Sequence, residues 1–488
     1  MRRITTVAVA AASFMLMSAQ VADAASCTSL RADRWLAPIK ALDPHAPTGT
    51  LRVFAMQFKQ EPRHVITYAT FLNKLECSIK DTVVPNRVKG RTSLVLFTED
   101  LGLMAYGIGS RGKAARIAIS NEGALAVIGR LRGAYRQQAD WYTAKLGSIG
   151  AIGGAFTAAT DTVVRGFVQS LSTLAKKYGV YIGASSLLAP FTESTRSSDI
   201  EALADPDLSP RPKSVFVATS PKVYNRAILW GPRDVRATGP APLRNSVLMN
   251  DKVPLTDLEV GIEVSPGAST GAAGVSNLKP YSVPGTKAKV QFATSLPAFM
   301  FGAPAKGAEC ADTALSYMRC LESLGTNVVL QDEANPGPWV NAGSLWQPLD
   351  WMGSTWRSVA DQATPGLLYN VTPMMTGNLA DLAFDGQSAI TQRGLKGIGC
   401  AYVGNINGDG NSASGVAQYM GRKSEFLAIA PWVAADGPAA ELRSVSAGLA
   451  PGSGSGHENS YLETSLVADL TFPPKPLRAG CITSQPPR

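Results

Sequence analysis

The sequence predicts an α/β protein, on three observations. Apolar strands recur along the chain, helices with apolar residues at 3.6-residue spacing follow them, and strand, helix and strand repeat in that order. The first unit is "TLRVFAMQFK", whose β-branched and aromatic residues read as a strand, then "HVITYATFLNKLECSIK" as an amphipathic helix, then "SLVLFTED" as a second strand. In "VVRGFVQSLSTLAKKYGVYIGAS" a helix ends in lysines and a glycine before the strand "VYIGAS". "SVFVATS" and "YNRAILWGP" follow as strands, read as a hairpin around Pro221 and Lys222. Residues 311–339 give another helix and strand, and "GIGCAYVGNI", "SEFLAIAPW" and "SLVADLTF" make a strand-rich close.

Three stretches interrupt this rhythm and read as insertions: 107–165, the Gly/Pro/Ser-rich 265–309, and 433–458 with its "PGSGSG". The organisation expected is a signal peptide at 1–24, an N-terminal arm at 25–49, one domain with insertions at 50–472, and a tail at 473–488. The leader has Arg2 and Arg3, an apolar run from Val7 to Met17 and an Ala-x-Ala site at Ala22 to Ala24. That run is shorter than the roughly 20 residues a membrane span needs. A secreted, periplasmic or envelope protein is therefore expected, with no span in the mature chain.

With 488 residues and 45% apolar content the chain fills a substantial core, which excludes a disordered or fibrous class. The formal net charge is +9, but no block of like charges concentrates it, so nucleic acid is not expected as a partner. Six cysteines would follow the leader. In an exported protein they pair by default, and Cys27 with Cys77 and Cys400 with Cys481 would make two staples, although the sequence leaves the partners open. Cys310 and Cys320 stand apart from these, which leaves room for a free thiol.

Some motifs fail on inspection. "GIGSRG" at 107–112 satisfies G-x-G-x-x-G but lies several residues beyond its strand, and it predicts no dinucleotide. "NINGDGN" from Asn405 starts like a calcium loop, but Val416 stands where the bidentate glutamate belongs. His45, His64 and His457 have no metal-binding spacing, so neither metal nor cofactor is expected.

The surviving candidates are acid, ammonium and sulfur. "LVLFTED" delivers Glu99 to the end of an apolar strand, "NDKVPLTDLE" carries Lys252 and Glu259, and Cys310 precedes a helix whose N-terminal N–H groups would favour a thiolate. Cys320, within that helix, reads as a packed apolar side chain. In order, these segments with "ECADTALSYMRCLESLGTNVVLQDEANPGPW" and "NLADLAFDGQSAIT" resemble the glutamate, lysine, cysteine and C-terminal segments of the nitrilase superfamily, the carbon–nitrogen hydrolases, with gaps from about Thr50 to Phe472.

The resemblance implies a four-layer αββα sandwich of the nitrilase type, with the site at the C-terminal ends of the strands. It implies Glu99 as general base, Lys252 as the charge that steadies an oxyanion, Cys310 as the nucleophile that forms a thioester, and Glu259 as a supporting second glutamate. Tyr106, Glu333, Asn335 and Trp339 would line the pocket for a small-molecule amide or nitrile. The family analogy also suggests a homodimer. "FGAPAKGAEC" is a poor strand to precede a nucleophile, and "LPAFMFG" at 296–302 is the alternative strand, with turns inserted after it. A pseudoenzyme that binds or scaffolds, and a transferase passing an acyl group to an envelope amine, are the competing readings.

Overall fold

The computed structural model describes residues 27–336, 347–394, 424–433, 461–475 and 482–483. Strand β1 (Ile39–Ala41) leads to β2 (Leu51–Lys59), and β2 shows why layers form. Its side chains alternate: Leu51, Val53 and Ala55 enter one core, while Phe54, Met56 and Phe58 enter another. A strand covered on both faces has to be apolar throughout. β3 (Ser93–Leu96) follows the same rule, with Leu94 and Leu96 on one side and Val95 on the other.

The strands continue with β4 (Tyr181–Leu188), β5 (Phe191–Ser194), β6 (Val215–Ala218), β7 (Tyr224–Trp230) and β8 (Ser246–Asp251). Next come β9 (Tyr281–Ser282), β10 (Lys289–Phe292), β11 (Val328–Leu330) and β12 (Tyr369–Thr372). The chain then adds the hairpin β13 (Met375–Leu379) and β14 (Leu382–Phe384), followed by β15 (Ala389–Arg393), β16 (Ser424–Ile429), β17 (Thr464–Leu470) and β18 (Ile482–Thr483).

Among the described residues one large sheet runs β1-β17-β2-β3-β4-β7-β8, with the β13–β14 hairpin attached to β2, a second large sheet runs β18-β16-β15-β12-β11-β10-β9, and β5 pairs with β6 in a small third. β2, β3 and β4 are mutually parallel, as are β10, β11 and β12. The sheets face each other through Leu51, Leu94 and Leu466 on one side and Val290, Val328 and Tyr369 on the other. Helices Tyr68–Thr82 and Gln169–Tyr178 cover the outer face of the first sheet through Phe71, Leu75 and Leu171. The helix Thr313–Ser323 covers the second, Tyr317 and Leu321 packing with Val329. The order is helix, sheet, sheet, helix, which is the αββα sandwich expected.

Local chemistry sets the helix ends. The Thr67 hydroxyl accepts the Thr70 N–H at 3.1 Å to start the first helix. Gly179, at φ 62°, ends the helix that carries Lys176 and Lys177 in its last turn.

Several boundaries differ from expectation. Residues 265–309 are no insertion, since they supply β9 and β10, the latter paired to β11 inside the sheet. The arm contributes β1, bonded to β17, and the tail contributes β18, bonded to β16. β6 forms its hairpin with β5 rather than β7, and β7 instead joins β4 and β8. Residues 107–165 do add helices, among them Gly109–Ala118, Ala124–Ala134 and Arg136–Leu146. The expected leader, the calcium-like loop, Cys400, Cys481 and Trp339 lie outside the described residues, as does nearly all of 433–458.

Candidate active site

Four elements bring Glu99, Asn225, Lys252 and Glu259 together at the C-terminal ends of parallel strands. Glu99 stands three residues past β3, where Asp100 turns the chain at φ 55°. Lys252 immediately follows β8, and its N–H is bonded to the Asn225 carbonyl at 2.9 Å. Glu259 lies in the short helix Asp257–Gly261, closed by a capping box: Glu259 accepts the Thr256 N–H at 2.8 Å and the Thr256 hydroxyl accepts the Glu259 N–H at 3.3 Å.

The Lys252 ammonium lies 2.8 Å from Glu99 Oε1 and 2.9 Å from Glu259 Oε2. Asn225 Nδ2 donates to the same two carboxylates, at 2.7 Å to Glu99 and 2.8 Å to Glu259. Glu99 Oε2 accepts the Ala334 N–H at 3.0 Å. Glu99 and Lys252 are each 2% exposed, so these bonds form in a low-dielectric setting where each weighs more than in water.

The two glutamates are held in different states. Burial raises the Glu99 carboxyl above its ordinary value, the Lys252 charge opposes this, and the negative Glu259 reinforces it. Glu259 is also buried, yet Lys252, Asn225 and the Thr256 N–H hold it below the ordinary value. Burial alone would lower the lysine, but both carboxylates overcome that and keep it protonated.

The structure does not bring Cys310 to this cluster. Cys310 is bonded to Cys320 in a disulfide, and both cysteines join the core between the second sheet and the helix Thr313–Ser323. A sulfur committed to a covalent partner cannot attack a carbonyl, so the expected cysteine nucleophile is corrected. The alternative strand at 296–302 is corrected too, since 296–299 form a 3-10 turn.

Ser295 lines the same cavity as Glu99 and Lys252. It follows β10, precedes the turn Leu296–Phe299, and holds φ 57° and ψ −119°, a region a side-chain-bearing residue occupies only when its surroundings force it. A strained serine between strand and helical turn is the arrangement of a nucleophile elbow. Asp332 braces it: its carbonyl accepts the Ser295 N–H at 3.2 Å and its carboxylate accepts the Thr294 hydroxyl at 2.7 Å. Burial, with Glu99 nearby, pushes the Asp332 carboxyl up to about 7. The sequence also contains Gly267-Ala268-Ser269-Thr270-Gly271, a G-x-S-x-G match, but that loop follows no strand and Ser269 serves Thr313 through its carbonyl.

Glu99, Lys252, Glu259 and Ser295 line one cavity of about 410 Å³. Tyr106 and Asn335, expected to contact substrate, line it as well, and the Tyr106 hydroxyl donates to the Leu187 carbonyl at 2.5 Å. Glu333 does not: it is fully buried outside the cavity wall and bonded to Gln331 at 2.7 Å. Trp339 lies outside the described residues. Asn225 and Ser295 were not found from the sequence. The only hint of Ser295 was the short alternation "KVQF" followed by small residues and Pro297, and Asn225 left only a polar residue at the start of an apolar strand.

No family model and no curated protein matches the chain. Among solved structures it is similar to a variant of the amidase from Nesterenkonia sp. AN1 with acrylamide added at its active-site cysteine, at 12% identity, TM-score 0.33, over 70% of this chain and 85% of that one. A further variant of that amidase, described as from the nitrilase superfamily, matches at 12% identity, TM-score 0.33, over 72% and 86%. Saccharomyces cerevisiae Nit3, a member of branch 10 of the nitrilase superfamily, matches at 11% identity, TM-score 0.37, over 72% and 85%. Likeness at this level assigns no role to any residue, and the site stands on its own geometry.

Proposed function

We propose that this chain is a carbon–nitrogen hydrolase that cleaves a non-peptide amide through an acyl-enzyme formed on Ser295. The observation that carries the proposal is the pairing, in one cavity, of a strained serine elbow with a buried carboxylate of raised pKa and a lysine that two carboxylates keep protonated. In the first half-reaction Ser295 Oγ bonds to the amide carbon and its proton passes to Glu99, while the carbonyl electron pair moves to oxygen beside Lys252. The C–N bond then breaks, the nitrogen takes the proton back from Glu99, and an ester remains on Ser295. Water attacks that ester with Glu99 again as base, releasing the acid and restoring the serine.

Glu259 completes the electrostatics. When Glu99 becomes neutral, Lys252 keeps Glu259 as counter-ion, and the part of its field that Glu99 held turns to the oxyanion. Among the described residues two disulfides support an oxidising compartment for this activity, and no helix is long and apolar enough to cross a membrane.

A binding domain without turnover is the second reading, favoured by one observation: the elbow presents a hydroxyl, a weaker nucleophile than a thiol until a base activates it. The separating experiment offers the purified protein a panel of amides and nitriles, assays released amine or ammonia, and maps labelling by a fluorophosphonate probe. Product release together with label on Ser295, both lost in Ser295→Ala, is expected. Neither release nor label from a folded protein would leave only the binding domain.

A further inference from the structure

We infer that the substrate carries a hydrocarbon chain of several carbons, which lies along the apolar wall of the cavity; this rests on the reading of the site as an amide hydrolase. The cavity's polar residues are the bonded cluster around Lys252 together with Asp100, Tyr106, Asp257, Ser295 and Asn335, and most of the remaining wall is apolar. The helix Ala124–Ala134 shows this most clearly. Its residues Ala124, Val127, Ile128 and Leu131 share one face by their i, i+3, i+4, i+7 spacing and line the cavity, with Val127, Ile128 and Leu131 also packed on the adjoining core. Phe156 and Met104 continue the wall.

An apolar surface facing empty space lacks the partner atoms that a protein interior normally supplies. A ligand chain would supply them. The volume of about 410 Å³ lies within the range of about 300–1,000 Å³ typical of sites for drug-sized ligands, and far exceeds what a two-carbon amide fills. Leu258 lines the cavity while 46% exposed, so the apolar surface continues from the interior to solvent and offers a chain its way in. A purely polar amide would leave this wall uncovered.

The test compares hydrolysis of straight-chain primary amides from acetamide to octanamide, together with an N-alkylacetamide series, and measures binding of the same compounds to Ser295→Ala by calorimetry. In one of the two series kcat/KM should rise by about fourfold per methylene until the cavity is full, with Kd for Ser295→Ala falling in step. Ile128→Asn should reduce the octanamide-to-acetamide ratio at least tenfold, and Val127→Asn serves as a second variant should the first unfold. Rates and affinities that ignore chain length in both series, or fall with it, would overturn the inference even if acetamide is hydrolysed. Chain-dependent binding without turnover of any amide would uphold the hydrocarbon site while removing the catalytic reading.

Discussion

Lys252 is the pivot of the site, because it holds two carboxylates that titrate differently. Replacing it by methionine would leave Glu99 and Glu259 in the same buried setting without their counter-ion. Breaking such a buried pair costs about 3–5 kcal/mol, so Lys252→Met should lose that much in denaturant unfolding. Glu99 must be ionised to act as a base, and its pKa is raised, so kcat/KM should climb with pH through a midpoint above the ordinary 4.5. The negative charge of Glu259 contributes to that rise, so Glu259→Gln should move the midpoint down; an unmoved acid limb would separate the two groups.

Asp332 gives a stability test. Its carboxyl is raised from 3.8 to about 7, so between those values the folded state holds a proton that the unfolded state has lost. Its contribution to stability is full below pH 3.8 and declines as pH rises to about 7. Asp332→Asn should flatten that decline when unfolding is measured across the window. Ser295→Cys should keep the elbow and yield a thiol that iodoacetamide alkylates, with loss of turnover on alkylation. Glu99 was legible in the sequence as an acid after an apolar run, and Lys252 and Glu259 through the family resemblance of "NDKVPLTDLE". Ser295 was not, because a serine after a four-residue strand is ordinary in sequence and only its backbone angles single it out.

At the scale of elements, the cysteine pair shows how one misplaced strand misdirects a reading. Taking 265–309 as an insertion removed β10, and the search for a nucleophile then fell on the next helix. Cys310 before a helix N-terminus has the right local chemistry for a thiolate, but Cys320 within that same helix is its disulfide partner, ten residues on. Replacing both by alanine should leave kcat unchanged and lower stability by about 2–4 kcal/mol, as seen by unfolding under oxidising conditions. A loss of turnover at unchanged fold would return the chemistry to sulfur.

Across the whole molecule, the two-sheet sandwich was expected through the family resemblance, and the apolar residues of β2 and β3, which enter a core on each face, are what make it possible. What could not be read was the closure at the ends. β1 and β18 are three and two residues long, too short for any pattern, and they are fixed by partners more than 50 residues away in sequence. The Cys27–Cys77 bond ties the arm to the helix Tyr68–Thr82, and its sequence separation of 50 encloses β1 and β2. Pulled from its two ends in an optical trap, the oxidised chain would therefore carry force past that whole segment and leave it slack. Reduction of this bond should release it, adding about 170 Å of contour at roughly 3.4 Å per residue to the final stretched length.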